Sequence, residues 1–456
     1  MKDSKTNRKK TKNSHDFISW ALFVVPFLAL LFSLYAISAA SRTEAPQTTS
    51  SNEITGKITD SGFTRLRIAV PPCRTNGSTY QRGNDALAVV KSDLSFSGFF
   101  DLVDPSLYKG MNIGRNGIDY DAWKAMNADY LLTSSLSMLE GKLVLTGQLY
   151  DIKRKELVTG KRLKAVPDDL RLMAHHLSSV ILDYLFGAGS FPTSQILFTS
   201  SIGSTEEIFL CDYDGSRLTR LTAMGQLNVT PDVSPDGMHI VFTSIMKNSQ
   251  ELFLLDRGGH RTKLYGRGEG LNSNPAYSHD GKFVAFCSSK SGNPDLWLMD
   301  LATKRLKRLT FSWAIDTAPT WSPDDQHIAF TSDRSGRPQI YVMDRDGTNV
   351  KRLSPPGSGR SDQPAWSPRG DRIAYASLEN GHFDIAVLEI STGKVNFLTH
   401  GEGNNEAPNW SPDGRYLAFT SNRSGSFQIY LMRLDGSGVK RITRQPGCYS
   451  PCWFKG

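Results

Sequence analysis

From residue 195 onward the apolar positions alternate in short runs, and the runs themselves repeat. Five blocks open alike: NVTPDVSPDGMHIVFTS, NSNPAYSHDGKFVAFCS, DTAPTWSPDDQHIAFTS, SDQPAWSPRGDRIAYAS and NEAPNWSPDGRYLAFTS. Their prolines, Pro231, Pro275, Pro319, Pro364 and Pro408, are spaced by 44, 44, 45 and 44 residues. Further on, ELFLLD, DLWLMD, QIYVMD, DIAVLE and QIYLMR each precede a turn and a strand ending in Arg-Leu or a close variant. Alternation over a few residues reads as a strand, and Asp-Gly between two such runs reads as a tight hairpin. Each block is therefore four short strands. One such sheet exposes two apolar faces, and radial stacking buries both, which predicts a β-propeller. The repeat aromatics then read as core between sheets, and the prolines as strand starts.

The ends of this region predict the blade count. Residues 195–222 carry second, third and fourth strands without a first. Residues 449–453 carry a first strand alone, with Pro451 falling 43 residues after Pro408. The reading is a six-bladed propeller closed by the C-terminal strand, which leaves no sheet edge open.

The pattern before it is mixed. Residues 66–70 and 99–104 read as strands. Asn84 is placed to cap a helix through Leu94, and 121–128 reads as a second helix. Residues 130–166 read as a three-stranded meander with a turn at Glu140-Gly141. Leu170, Met173, Ala174, Leu177, Val180, Ile181 and Tyr184 keep helical spacing, with Gly187 placed to end that helix. This predicts an α/β N-terminal domain. The expected organisation is 1–40 as signal peptide or N-terminal anchor, 41–62 as linker and mobile N-terminal strand, 63–190 as the α/β domain and 193–456 as the propeller.

Charge alters the picture only at the start. Half of the formal charge of +8 lies in the first 40 residues, which hold six bases and two acids. The remainder is too diffuse to indicate nucleic acid. Those bases precede the uncharged run FISWALFVVPFLALLFSLYAISAA, the asymmetry of a segment threading outward, so the expected location of the rest is the periplasm. Whether the run is cleaved after Ala40 or retained stays open, since it is long enough to span a bilayer. The five cysteines are odd in number and match no metal spacing. No G-x-S-x-G elbow, P-loop or H-E-x-x-H occurs. The expectation is no catalytic residue, no metal and no cofactor. The runner-up is a secreted propeller hydrolase or lactonase with a channel metal site, which needs several convergent carboxylates.

A propeller binds where its loops converge. At one end lie the polar segments just before each proline, including Asn228, Thr230, Asn272, Asn274, Asp316, Thr317, Asp362, Gln363, Asn404, Asn405 and Glu406. They are the candidate rim for a protein partner, with Lys290, Arg334 and Arg423 as possible charged contacts at the same mouth. The same residue types also simply make turns.

The export segment, the small α/β domain and the P-x-W-S-P-D-G-x-x-I-A-F-T-S repeats together resemble the TolB family, the periplasmic propellers of the Tol-Pal system. The likeness runs over about residues 53–456 in order and length. It implies a non-enzymatic, monomeric adaptor supporting outer-membrane integrity and cell division. The peptidoglycan-associated lipoprotein Pal would bind at the mouth residues named above, with other envelope lipoproteins as further candidates. Ile54, Thr55, Gly56, Lys57, Ile58, Thr59 and Asp60 look like the family's TolA-binding strand. Three positions depart from the repeat: His279 stands where Pro is expected, Asp325 where Gly is, and Arg369 where Asp is.

Overall fold

The computed structural model describes residues 65–75, 79–109, 111, 117–266 and 270–456. The expected export segment and the strand 54–60 lie outside the described residues. Among those described, no helix is long and apolar enough to cross a membrane.

The first half is built on one sheet. Its strands are β1 (Leu66–Ala69), β2 (Arg74–Thr75), β3 (Phe100–Leu102), β4 (Tyr130–Leu139), β5 (Lys142–Asp151) and β6 (Glu156–Ala165), in the order β3-β1-β4-β5-β6 with β2 beside β4. β1 runs parallel to β3 and β4, whereas β4, β5 and β6 form an antiparallel meander. Strand alternation gives this sheet two buried faces. Leu132 and Leu136 face helices α1 (Tyr80–Ser97) and α3 (Leu170–Phe186). Leu131 faces a smaller cluster with Trp123 of the short helix α2 (Tyr120–Ala125). α1 begins four residues before the expected Asn84 cap, which therefore sits inside the helix. It ends at Gly98, which has φ +79°, and a Cβ there would come within 2.8 Å of Arg433 Nε. Glycine is thus needed both for the left-handed turn and for the approach of the second half.

The second half consists of radially packed antiparallel sheets. Four of them have four strands each. A fifth, eight-stranded sheet holds 195–265 together with Cys448–Phe454, and its two halves meet through one parallel pair, Leu227 with Glu206. Cys448–Phe454 lies antiparallel to Gln195–Ile202, with Trp453 opposite Ile196. The core between sheets is aromatic and aliphatic, as where Trp321, Phe330 and Met343 pack against Leu296 and Leu298. The five cysteines are buried and free, and burial raises each thiol pKa.

The two halves share one core. Phe96 of α1, Phe191, Tyr213, Tyr416 and Trp453 pack together in it. These propeller residues lie at the end carrying the hairpins after first and third strands. The N-terminal domain therefore packs at that end, on the sheet that holds Tyr213 and Trp453 and the one that holds Tyr416.

Candidate functional site

The open end is shaped by one irregularity that recurs in six strands. The register against the neighbouring strand shifts between Val229 and Asp232, Ser273 and Ala276, Thr317 and Thr320, Asp362 and Ala365, Glu406 and Asn409, and Tyr449 and Cys452. Each shift contains the repeat proline, preceded by a left-handed residue: Thr230, Asn274, Ala318, Gln363, Ala407 or Ser450, with φ between 48° and 54°. Proline lacks the N–H that a ladder needs, and the bulge absorbs that loss. These residues and their prolines line a central channel of about 470 Å³.

The bulge decides where the expected mouth residues point. Asn228, Asn272, Asp316 and Asn405 are at most 1% exposed and are interior ties, not rim. Asn228 Nδ2 donates to Glu207 Oε2 (2.9 Å), Asn272 Nδ2 to the Gln250 carbonyl (3.0 Å) and Asn405 Nδ2 to Asp384 Oδ1 (3.2 Å). Arg334 and Arg423 also turn inward. Arg334 Nη2 donates to both oxygens of Asp316 at 3.0 Å, and Arg423 Nη2 donates to Asn405 Oδ1 at 2.8 Å. Each guanidinium stacks over two rings of its own sheet. These two therefore cap blades. Asn404 is a loop clamp: its N–H reaches Asn422 Oδ1 at 2.8 Å and its Oδ1 accepts from Phe383 N at 3.2 Å.

Of the expected mouth residues, Thr230, Asn274 and Gln363, each directly before its proline, line the channel. Thr317, Asp362 and Glu406, one position earlier in their strands, are half-buried beside it. They are joined across sheets: Thr317 Oγ1 donates to Asn274 Oδ1 (3.3 Å), and Gln363 Oε1 accepts from Ala407 N (2.9 Å). Burial and the nearby Asp362 charge raise the Glu406 carboxyl to about 7, partly offset by Arg360, whose Nη2 donates to Asp362 Oδ2 at 2.9 Å. This mouth offers hydrogen-bonding groups and one carboxylate pair. It is suited to recognising polar groups of a partner, with no nucleophile–base pair among these residues.

A second constellation lies between the halves. His175 of α3 is 1% exposed, with Nδ1 2.9 Å from Asp93 Oδ2 on α1 and Nε2 3.2 Å from Asp214 Oδ2 in the propeller. Tyr213 donates its hydroxyl to Asp93, and Arg171 pairs with Asp214. Burial alone would lower the His175 pKa, but hydrogen bonds and charge from Asp214 and Asp93 raise it to about 9. Burial opposes ionisation of Asp214, yet His175 and Ser216 hold its pKa far below the usual carboxylate range. His175, Asp212 and Asp214 approach closely enough to hold a metal ion. Their oxygens are already committed: Arg217 takes both oxygens of Asp212 at 2.6 and 2.7 Å, and Arg171 takes Asp214. The cluster is an ion-pair network joining the halves. No local sequence pattern marks His175, because its partners are 82 and 39 positions away.

Comparison with known proteins agrees with this architecture. The TolB beta propeller domain family matches residues 185–363 and 358–455, and the TolB amino-terminal domain family matches 55–158. A TolB homolog from Chlorobium chlorochromatii is 34% identical over 36% of this chain and 38% of its own length. A Tol-Pal system protein TolB from Geobacter sulfurreducens is 33% identical over 47% of this chain and 50% of its own. The aligned stretches thus span about half or less of these relatives. The crystal structure of TolB from Acinetobacter baumannii superposes with a TM-score of 0.75 at 26% identity, covering 86% of this chain and 96% of that one. With both halves matched in order, and the propeller match alone covering more than half of its length, the chain belongs to the TolB family.

Proposed function

We propose that this protein is a non-enzymatic periplasmic adaptor of the Tol-Pal envelope complex. The observation that carries the reading is the central channel, lined by six strands with polar side chains before its prolines, beside which the N-terminal domain packs on two sheets at the hairpin end. Counting the eight-stranded sheet as two blades joined at one bridge gives six blades, with Cys448–Phe454 closing the ring. Pal is the proposed occupant of the mouth. Thr230, Asn274, Thr317, Asp362, Gln363 and Glu406 supply its contacts. Residues 54–60 are the proposed TolA-binding strand, engaging by strand addition. The domain boundaries 1–40, 41–62, 63–190 and 193–456 belong to the same reading, as does a role in outer-membrane integrity and division.

The test is titration calorimetry of the 41–456 protein with the soluble domain of Pal. The Asp362→Asn/Gln363→Ala/Glu406→Gln variant should weaken binding at least tenfold while still unfolding in a cooperative transition, at a somewhat lower temperature because Ala407 N and Arg360 each lose a hydrogen bond. Deletion of 54–60 should abolish capture of TolA and leave Pal binding in place. No binding of Pal by the parent protein would refute the assignment, and metal-dependent hydrolysis of a lactone would replace it with the runner-up.

A further inference from the structure

The mouth repeats nearly the same backbone six times, so nothing in that backbone fixes how a partner is rotated about the axis. One loop at the same end breaks the repetition. It joins the strands Leu306–Arg308 and Asp316–Trp321 and reads Phe311-Ser312-Trp313-Ala314-Ile315. Phe311 and Trp313 are 73% and 77% exposed and Ile315 49%, while Ala314 between them is buried. Among the described residues no other large apolar side chain is as exposed as these two aromatics. A tryptophan left in water at this level forgoes the burial that its size rewards.

The loop is held in this shape. Asn293 Nδ2, from the preceding sheet, donates to the carbonyls of Ser312 (3.3 Å) and Ala314. Ser312 Oγ accepts from Ala314 N at 2.8 Å, and Asp333 Oδ1, from the following sheet, accepts from Ile315 N at 2.8 Å. Arg308 lies 4.8 Å from the Phe311 ring centre and is itself paired at 2.7 Å with the buried Asp295. Two sheets thus clamp the backbone so that alternate side chains project outward. Rigid aromatic anchors beside a polar rim are the usual makings of an interface hot spot, because little entropy remains to be lost on docking.

We infer that Phe311, Trp313 and Ile315 form an apolar anchor that orients the protein docked at the channel mouth. This rests on the adaptor reading above. The occupant is a folded protein domain with an apolar cleft for the two rings and a basic or hydrogen-bonding group for the Asp362–Glu406 pair. That pair lies in the second and third sheets after the loop, so anchor and carboxylates together define one orientation. Continuity with the mouth, and the carboxylates beside it, favour a protein over a lipid surface.

The experiment uses the 41–456 protein and the soluble domain of Pal, with Phe311→Ser/Trp313→Ser and Trp313→Phe variants. Melting profiles check that both remain folded, which the exposed position favours. The expected result is a dissociation constant raised at least tenfold by the double change and less than threefold by Trp313→Phe. The double variant binding within twofold of the parent protein would overturn the anchor and leave the adaptor reading standing. Failure of the parent to bind Pal would remove both. A blue shift of Trp313 fluorescence with phosphatidylglycerol vesicles and none with Pal would reassign the loop to membrane. Self-association of the parent that the double variant loses would reassign it to a contact between copies. Either result overturns the proposal.

Discussion

At the scale of single residues, two departures from the repeat prove to be one. In neighbouring blades the Pro after the repeat Ser packs against the hairpin Gly of the next sheet, as Pro323 does on Gly370. His279 and Asp325 replace that Pro and that Gly at the same junction. Asp325 adopts φ +57° and accepts from His279 N at 2.7 Å and from Asp280 N at 2.8 Å. A proline at 279 would have no N–H to give. The carboxylate's bonds offset the cost of a left-handed non-glycine residue. Asp325→Gly and His279→Pro should each destabilise by about 1–2 kcal/mol. The double variant should lose less than their sum, and urea midpoints over the cycle read the coupling. His175 makes a second prediction. Its pKa is raised from 6.5 to about 9 on folding. The stability it contributes is therefore full below about 6.5 and is lost as pH rises through 9, on the order of 3 kcal/mol. Asp214, held low, gives stability that is lost only on acidification. The groups facing the imidazole are Asp93, Asp214, Asp212 and Tyr213, with His176 and Arg171 on its own helix. Urea titrations from pH 6 to 10 should show the decline in the parent and a flatter profile in His175→Gln.

At the scale of elements, the repeat was legible because period-two alternation and Asp-Gly turns act locally. The meander 130–166 and the helix ending at Gly187 were legible for the same reason. The start of α1 was not, because Thr79 at its N-cap makes no side-chain cap bond to the helix and Asn84 offers a stronger local signal. The mouth was half legible. Its polar segments were found, but a bulge sets which of them face the channel, and the proline that marks each bulge reads equally well as a strand start. The Arg-Leu-Thr ending of the blocks also hides a role. Thr222, Thr310, Thr399 and Thr443 each accept a backbone N–H from the third strand, at 2.8–3.0 Å. Thr443 also donates to Gln428 Oε1 at 2.8 Å. Thr443→Val keeps the shape and strands a buried N–H, so it should cost about 1–3 kcal/mol by thermal or urea unfolding. The exposed Thr303 provides a near-neutral control.

At the scale of the whole molecule, propeller side chains finish the helices of the first half. Arg433 Nε donates to the Phe96 carbonyl at 3.0 Å and Nη2 to that of Ser95 at 2.8 Å, and Tyr416 donates to Ser97 O at 2.9 Å. These are the carbonyls a helix end leaves without partners. Arg433→Ala should weaken the junction more than either half, so a single calorimetric transition in the parent should separate into two. The pairing of the outermost strands sets a different condition. Trp453 hydrogen-bonds Ser194 across 259 positions, and its strand lies along the edge of Gln195–Ile202. During synthesis that edge must wait, unsatisfied and ready to pair with any other chain, until all the residues between the two strands have been made. Chain order thus sets a long interval in which this edge is open, and helper proteins that hold unfinished chains would find a target there.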